Sequence, residues 1–307
     1  MLFSSIGEML ANAPNSAQPP LFSVIIAVYN EWSLVQECLR SLAEQASPPP
    51  FEVIVVDDGS EVPATDSVQQ YGNSYRLRIV REAHAGIPAA RNRGVQESKG
   101  EIFVFTDADC RLGSSCLSEL AAAIARFPQH SCFQLHLTGD SSTLLGRAEE
   151  LRMIALQNQT MQRDGRIRLL NTAGFAIRRS HSCVQLGLFN PAAHRGEDTL
   201  LLATLMQHGE LPLFVPNARV QHSISLSFTG SIRKDVRSGW LQRGTFRTIA
   251  AKGIRVRMRN KDRVRMLYST WKTSRQPSIG RAAWMVLVTR QLVERTMTVL
   301  CEFWPSK

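Results

Sequence analysis

Short apolar segments alternate with segments of helical periodicity through the first 130 residues of the chain. Runs rich in apolar and β-branched residues predict four strands, at 22–28, 51–56, 76–80 and 101–106. Apolar residues that recur every three or four positions predict helices at 33–45, 87–98 and 115–127. Strands that are apolar on both faces belong in a parallel sheet covered by helices on each side. The pattern therefore predicts an α/β fold, with ligands bound beyond the carboxyl ends of the strands.

Two of the predicted strands end in acidic residues. The second strand finishes in Asp57 and Asp58 of VVDDGS, and the fourth in Asp107 and Asp109 of FVFTDADC. Either motif could be ordinary by itself, because Asp-Gly-Ser favours a turn and Asp109 could cap a helix. Their shared position after buried strands predicts instead one acidic site at the rim of the sheet. Residues i and i+2 of an extended chain point the same way, so Asp107 and Asp109 are expected to face one ligand.

The chemistry of this acidic pair points to a divalent cation. Carboxylates without a neighbouring histidine or ligating cysteine offer the oxygen ligands that Mg²⁺ or Mn²⁺ prefers. A cation held by so few protein groups takes its remaining ligands from the substrate, and a diphosphate fits that need. The sequence has no GxGxxG after the first strand and no Walker A motif, which excludes the dinucleotide-binding and P-loop classes.

Five motifs, in chain order, carry a family resemblance. They are FSVIIAVYNE, VIVVDDGS, HAGIPAARNRGVQESKGEIFVFTDADC, NTAGFAIRRS and RGEDTLL. Together they make residues 22–222 resemble the family 2 glycosyltransferases of the GT-A fold. The resemblance implies a mixed, mainly parallel sheet with helices on both faces. It also implies an enzyme that moves a sugar, with inversion, from a nucleotide-diphospho-sugar to an acceptor hydroxyl. A UDP-sugar is the favoured donor, and a glycan or lipid-linked saccharide the acceptor.

The resemblance also implies which residues hold the donor. Asp58, with Asp57 beside it, matches the acid that binds the nucleotide base. Arg93 resembles a basic residue near the diphosphate, and Gly174 resembles a loop that lies against the donor sugar. The full set of residues implied to hold the donor is Ala27, Tyr29, Glu31, Asp57, Asp58, Arg93, Asp107 and Gly174.

Metal ligands and a catalytic base follow from the same resemblance. Asp109 matches the direct ligand of Mg²⁺ or Mn²⁺, and Asp107 matches a residue that contacts the ribose and, through water, the metal. His222 matches an additional metal or diphosphate contact, although it could also be an ordinary histidine. Glu197 and Asp198 match an acidic pair of which Asp198 is the general base that the attacking hydroxyl needs. Asp198 could alternatively be an acid favoured by a helix N-terminus.

Three departures from the family's sequence pattern narrow the predicted activity. Ala27-Val28 stands where many relatives have Pro-Thr or Pro-Ala, so the backbone there is less constrained. The QxxRW motif of processive synthases is missing, and no apolar run reaches the roughly 18 residues of a membrane span. These absences favour single sugar addition over processive polymerisation. The six cysteines show no metal-site spacing, and with no signal peptide they indicate a reducing compartment, the cytoplasm.

Charge divides the chain unevenly. The net charge is +10, but residues 226–307 hold 18 Lys and Arg against 4 Asp and Glu, whereas residues 1–225 hold 18 against 22. We therefore predict a loose N-terminal arm at 1–20, a GT-A domain at 21–225 and a basic helical region at 226–307. The basic region could be a solvated surface, or it could bind an anionic membrane, where each basic residue adds about 1 kcal/mol. Scarce aromatic residues disfavour nucleic acid as its partner.

The last segment, 288–304, is amphipathic. Its polar arc comprises Arg290, Gln291, Glu294, Arg295, Thr298 and Glu302. Its apolar arc comprises Val288, Leu292, Val293, Met297, Val299, Leu300 and Phe303. Such a helix could lie in a membrane interface or pack on the catalytic domain or a partner subunit, and the sequence leaves these choices open.

The leading prediction is thus a metal-dependent inverting glycosyltransferase, with a peripheral position on the membrane as one possibility. A nucleotidyltransferase of the same fold is disfavoured, since Glu197 and Asp198 stand where a basic nucleotide-activating loop would be expected. The alternative from another class is a non-catalytic nucleotide-sugar-binding or membrane-recruitment protein. The presence of Asp107, Asp109 and Asp198 together disfavours that alternative.

Overall fold

Eight strands form one mixed sheet in the computed structural model, which describes residues 19–64, 66–193, 195–223, 227–254, 260–276 and 279–303. The strands are β1 (Phe22–Val28), β2 (Phe51–Asp57), β3 (Arg76–Arg81), β4 (Ile102–Asp107), β5 (Cys110–Leu112), β6 (Cys132–Gly139), β7 (Phe175–Arg178) and β8 (Leu213–His222). Their order in the sheet is β3-β2-β1-β4-β7-β6-β8-β5.

Ten α-helices accompany this sheet within the described ranges. They are α1 (Trp32–Ala43), α2 (Asp66–Gln69), α3 (Ile87–Glu97), α4 (Cys116–Arg126), α5 (Leu144–Thr160), α6 (Ser182–Gln185), α7 (Glu197–Gln207), α8 (Phe228–Ala251), α9 (Asn260–Thr273) and α10 (Arg281–Phe303). The four predicted strands and the three predicted helices are confirmed, with ends that differ by at most two residues.

Strands β1 to β4 are mutually parallel, as the sequence predicted, and the sheet becomes mixed where β7 joins β4 in the antiparallel direction. Ala27 of β1 pairs with Val56 of β2 on one side and with Asp107 of β4 on the other. The acidic ends of β2 and β4 therefore flank β1 at the same rim. Two strand spacings, about 10 Å, separate them.

The apolar runs are explained by two packed faces. Val24 and Ile26 of β1 lie in the cluster that also contains Leu39 of α1, and both are fully buried. Ile25 points to the opposite face, where it joins Phe103 and a second fully buried cluster. Because both faces exclude water, every position of such a strand gains from being apolar, by about 25 cal/mol per Å² of buried surface.

Helix α3 lies unusually close to β1. A Cβ atom added to Gly94 would stand 2.3 Å from Cγ2 of Ile25, closer than any real contact. Glycine at this position therefore allows the helix to approach the strand. The close approach fixes the height at which the preceding turn of α3 meets the rim of the sheet.

The C-terminal helices pack on the rest of the chain. Ala283 and Leu287 of α10 are buried against Leu151 of α5. Ile249 of α8 is buried against Leu200 and Ala203 of α7. Helix α10 therefore packs on α5 through residues that precede the predicted amphipathic segment 288–304. None of the helices within the described ranges combines the length and apolarity that crossing a bilayer requires.

The domain boundaries remain predictions. The predicted arm, 1–20, lies outside the described residues except for its last two positions, and the boundary at 225 falls among residues 224–226, which are not described either. The densest basic stretch, 252–266, is described only in part.

Candidate active site

The loops after β1 and β2 are tied together at the rim. Asn30 adopts a left-handed conformation, with φ of 59°, a geometry that asparagine tolerates. Its backbone N–H donates to Oγ of Ser60 at 2.9 Å, and its side-chain oxygen accepts from the backbone N–H of Glu61 at 2.8 Å. These reciprocal bonds hold Tyr29 beside His84, with ring centroids 4.5 Å apart. Tyr29 remains 43% exposed and offers an aromatic surface at the rim.

Asp57 and Asp58 hold the loops around them. Oδ1 of Asp57 accepts from the backbone N–H of Ser60 at 2.8 Å, which closes the DDGS turn. Asp58 is 2% exposed and accepts from the backbone N–H groups of Ala85 and Gly86, at 2.7 and 3.0 Å. Its Oδ2 also lies 2.9 Å from Nδ1 of His84. The Asp58 carboxylate therefore anchors the loop that leads into α3, and its predicted contact with a base remains a prediction.

The arginine that joins the acidic residues of the site is Arg91, which the sequence reasoning missed, and the predicted contact of Arg93 with the diphosphate stays a prediction. Arg93 is half-exposed and pairs with Glu97 one turn along α3, at 2.7 Å. Arg91 is 3% exposed. Its two terminal nitrogens donate to Oδ1 of Asp107 and to Oε1 of Glu197, each at 2.7 Å. One buried guanidinium thus joins the acid at the end of β4 to the acid that begins α7.

The helical spacing contained a signal for Arg91. The buried positions of α3 are Pro88, Ala90, Arg91 and Gly94, which share one face of the helix. Two small residues mark that face as the one that packs on the sheet. An arginine on the same face must find carboxylates inside the protein, because a buried charge requires a partner.

Glu197 and Asp198 have opposite electrostatic environments. Burial acts to raise the pKa of Glu197, but the adjacent Arg91 guanidinium brings it below its ordinary value. Burial, followed by the negative charge of Glu197, raises the pKa of Asp198 to about 6. Oδ1 of Asp198 accepts from the backbone N–H of Thr199 at 2.6 Å, which orients the carboxylate. Two acids with separated pKa values can take different roles, and a base near neutrality is suited to proton transfer.

Asp107 and Asp109 have different partners in the structure. The chain turns at Ala108 and Asp109 and starts β5 at Cys110, so the expected extended arrangement is not present. Asp107 meets Arg91, whereas Oδ2 of Asp109 lies 3.2 Å from Nε2 of His222. The second contact arises because β5 pairs with β8, which places Cys110 opposite His222. The pairing of these two strands thus brings His222 to Asp109, although the two residues lie more than a hundred positions apart in the sequence.

Asp109 and His222 fit a divalent cation. A carboxylate oxygen and an imidazole nitrogen 3.2 Å apart can share one ion, and both side chains are about one-fifth exposed, which leaves room for substrate oxygens. Nδ1 of His222 is buried and has no hydrogen-bond partner among the described residues. Cys110 completes the cluster geometrically, but burial raises the pKa of its thiol well above the ordinary value, so it stays protonated and is a poor ligand.

The remaining predicted donor residues occupy different places. Ala27 lies at the end of β1, between the two acidic strand ends. Glu31 follows in the next loop, where burial and the nearby Asp109 raise the pKa of its carboxyl. Gly174 is buried in the turn before β7, and an added Cβ would stand 2.8 Å from Leu137. The structure therefore gives Gly174 a packing role, and its contact with a donor sugar remains a prediction.

The fold and the acidic rim together define the class of protein. A mixed α/β sheet with carboxylates at the ends of two strands that flank a third is the GT-A glycosyltransferase architecture, and solved neighbours share this fold. One is a mannosyltransferase from Pyrobaculum calidifontis in complex with GDP-Man and Mn²⁺, 18% identical, with a TM-score of 0.55 over 98% of this chain and 91% of that one. Another is TarS 1-349 of Staphylococcus aureus in complex with UDP, 18% identical, with a TM-score of 0.54 over 93% of each chain.

The sequence comparison identifies the family. Residues 23–185, more than half of the chain, match Glycosyl transferase family 2, and the protein belongs to that family. Among curated relatives, the glycosyltransferase AglE of Haloferax volcanii is 40% identical over 94 residues, which cover 30% of this chain and 31% of the relative. The poly(ribitol-phosphate) beta-N-acetylglucosaminyltransferase TarS of Staphylococcus aureus is 37% identical over 106 residues, covering 34% and 18%. The matched part is thus less than a third of each relative's length.

Replacement of Arg91 by methionine is expected to lower the free energy of unfolding by roughly 2–4 kcal/mol. The change leaves two carboxylates without their cation, and the cost is below that of a fully buried pair because Asp107 is 36% exposed. Urea unfolding at neutral pH measures the effect. The matched control is Arg93→Met, which removes one exposed helical ion pair and should cost about 0.5 kcal/mol or less. Equal unfolding midpoints for the two variants would show that the Arg91 bridge is not formed.

Proposed function

We propose that the protein transfers a sugar from a nucleotide-diphospho-sugar to an acceptor hydroxyl, with inversion at the anomeric carbon. The observation that carries the proposal is the link through Arg91, which ties Asp107 on the donor side to Glu197 beside Asp198. A carboxylate with a pKa of about 6 thereby stands next to an ionised acid that is held by Arg91. This arrangement supports Asp198 as the general base.

In the proposed reaction, Asp198 accepts the proton of the acceptor hydroxyl as its oxygen attacks the anomeric carbon. The new C–O bond forms on one face of the sugar, and the bond to the diphosphate breaks on the other. Glu197 contacts Arg91 and keeps the guanidinium in place. Burial, followed by the negative charge of Glu197, raises the pKa of Asp198 and makes it a stronger base than an isolated aspartate.

Asp109 and His222 are the residues that would hold Mn²⁺ or Mg²⁺, with Asp107 in contact with the ribose and, through water, the metal. The cation, when bound, would neutralise the charge that develops on the leaving diphosphate. Support comes from the donor set, since a carboxylate and an imidazole aimed at one point leave most coordination positions to the substrate. Structures with Mn²⁺ bound are among those that share the fold.

The nucleotide would lie on the rim formed by Ala27, Tyr29, Glu31, Asp57 and Asp58. A UDP-sugar is the proposed donor; the solved structures that share the fold hold UDP or GDP-Man, so the fold accommodates both bases. The acceptor is proposed to be a saccharide or a lipid-linked saccharide in the synthesis of a cell-envelope polysaccharide. The poly(ribitol-phosphate) relatives support a polymer-related role.

Donor turnover tests this function. The protein is incubated with UDP-glucose, UDP-N-acetylglucosamine and GDP-mannose, each with Mn²⁺, with Mg²⁺ and with EDTA, and released nucleotide is measured. We expect release from a UDP-sugar, lost with EDTA and restored by Mn²⁺. The anomeric configuration of the product, read by NMR, should be opposite to that of the donor. Binding without turnover under all these conditions would favour the non-catalytic alternative, and metal-independent turnover would remove the cation from the mechanism.

A further inference from the structure

Helix α8 runs from the proposed metal site to the loop that precedes the proposed base. At the metal end, Lys234 helps His222 to lower the pKa of Asp109, against the effect of burial. At the other end, Oγ1 of Thr245 donates a hydrogen bond to the backbone carbonyl oxygen of Arg195 at 2.6 Å. Lys234 and Thr245 lie about 16 Å apart along the helix axis. The helix therefore borders the site between its proposed metal ligands and its proposed base.

Four residues form a ridge on the side of α8 that contains these two ends. They follow one another at spacings of three and four positions, which makes them neighbours on the helix surface: Lys234, Arg237, Leu241 and Thr245. Arg237 is therefore on the same side as the two ends and lies between them. An acceptor hydroxyl has to reach Asp198 from this region, because the diphosphate of the donor belongs with the metal ligands. We call these four residues the ridge of α8.

Two arginines at this place have guanidinium groups without a protein partner. Arg237 is exposed, and Arg195, just before the acid pair, is half-buried. In the part of the chain that the structure describes, neither guanidinium forms an ion pair or a hydrogen bond. The charge of Arg195 nonetheless reaches the base, since it opposes the rise that burial causes in the pKa of Asp198. Arg91, by contrast, already binds two carboxylates. Arg195 and Arg237 are therefore available to a negatively charged ligand.

An exposed aromatic ring adjoins one of these arginines. Trp240 follows Arg237 by three positions, so the two side chains are neighbours on α8. Trp240 is 47% exposed and presents its indole ring to the solvent. A flat apolar ring suits the apolar face of a sugar, and a guanidinium suits phosphate or carboxylate through two parallel hydrogen bonds. The two side chains together fit a saccharide that carries negative charge.

We propose that Arg195 and Arg237 bind a negatively charged group of the acceptor, and that the acceptor is an anionic saccharide. In this arrangement the phosphate or carboxylate of the acceptor lies on the two guanidinium groups, and a neighbouring sugar ring lies on Trp240. The hydroxyl that reacts lies at Asp198. This inference rests on the proposed function, because it names the substrate class of the same site.

Two other ligands fit these side chains less well. The donor diphosphate belongs at the metal end of the ridge, where Lys234 lies, and not at the two arginines. A nucleic acid binds through a continuous row of basic residues. The ridge instead continues from Arg237 into Leu241 and Thr245, which carry no charge.

Binding of three labelled dextrans of equal chain length to the full chain tests the inference. One dextran carries phosphate groups, one carries carboxymethyl groups at the same density, and one is unmodified. Binding is measured by fluorescence polarisation, with and without UDP and Mn²⁺. We expect at least one charged dextran to bind about tenfold more tightly than the unmodified one. The charged dextran that binds more tightly shows whether the site prefers phosphate or carboxylate.

Two variants test the residues of the proposed acceptor site. Arg195→Gln/Arg237→Gln should weaken binding of the charged dextran on the order of a hundredfold, because two charge-assisted contacts are lost. Trp240→Ala should weaken it about fivefold. Urea midpoints should be unchanged in the arginine variant, since neither guanidinium has a partner within the described residues.

The matched control for the arginine variant is Arg163→Gln/Arg168→Gln. Both of these arginines are exposed, and they flank Arg166, which pairs with Leu213 at the start of β8. His222 is at the opposite end of this ten-residue strand. The control removes the same charge from a distant surface and should bind the charged dextran like the unmodified chain.

Four results would overturn the inference. They are equal binding of charged and unmodified dextran, equal weakening by the arginine variant and its control, full binding in Trp240→Ala, and tighter binding of single-stranded DNA than of either charged dextran. Nucleotide release from UDP-sugars by the unmodified chain is measured separately. Donor turnover without dextran binding contradicts this inference alone. Dextran binding that depends on the two arginines, without donor turnover, supports the recognition of an anionic saccharide and contradicts the proposed chemistry.

Discussion

Asp109→Ala is expected to reduce metal-dependent transfer by a factor on the order of 10³, because a cation held by few protein groups cannot stay bound without its carboxylate. His222 alone would remain, and one neutral protein ligand without a carboxylate does not hold Mg²⁺ or Mn²⁺ tightly. A thermal-shift experiment gives an independent reading: stabilisation of the unmodified chain by UDP with Mn²⁺ should be lost in the variant. The fold should survive, because Asp109 lies in a turn at the rim and not in the core.

The matched control for this experiment is Asp164→Ala. Asp164 is an exposed acid in a turn and pairs with Arg166, far in sequence from the candidate site. The control removes the same group from the same kind of surface and should leave transfer and UDP stabilisation unchanged. If Asp109→Ala behaves like this control, the cation is held by other residues or plays no part.

Asp198→Asn is expected to lower kcat for transfer by about 10² to 10⁴, with donor binding retained, because an amide cannot accept the hydroxyl proton. The pH profile adds a second test. The base works when it is deprotonated, and the pKa of Asp198 is about 6, so kcat of the unmodified enzyme should rise with pH and level off above that value. The residual activity of the variant should lack this inflection.

Stability provides a control for the same variant. Where folding raises the pKa of a carboxyl, the protein loses stability as the pH rises from the unfolded pKa, about 4, to the folded pKa, because over that range only the unfolded state releases the proton. Asp198→Asn removes this cost, so above about pH 6 the variant should be at least as stable as the unmodified chain in urea. Loss of activity then cannot be assigned to unfolding. Full activity in this variant would move the base to Glu197.

Arg91 keeps the two halves of the candidate site in position. Asp107 ends β4, whereas Glu197 starts α7 ninety positions later in the chain, and one guanidinium spans both. The planar group with several donors suits this task, whereas the single ammonium of a lysine could not bind both carboxylates in the same way. The end of β4 and the acid pair of α7 are therefore held as one unit before any substrate binds.

The sequence by itself determined the strands, their parallel association and the acidic strand ends. These features are local: a segment that is apolar on both faces must be buried between two layers, and a carboxylate placed after it must emerge at the rim. The five ordered motifs predicted the family, and the match of residues 23–185 to Glycosyl transferase family 2 confirmed it. The roles assigned to Glu197 and Asp198 came from the resemblance, and the structure adds the electrostatic reason why the two can differ.

Only the tertiary structure decided which long-range partners meet. Arg91 rather than Arg93 reaches Asp107 because α3 presses its small-residue face on β1, and helix rotation cannot be measured from the motif alone. His222 reaches Asp109 through the pairing of β5 with β8. Likewise, the amphipathic pattern of α10 was evident, but a pattern has no direction; the Asp235 carboxylate of α8 decided that Arg290 turns inward and Leu292 outward. Periodicity specifies faces, whereas contacts between distant segments decide where each face points.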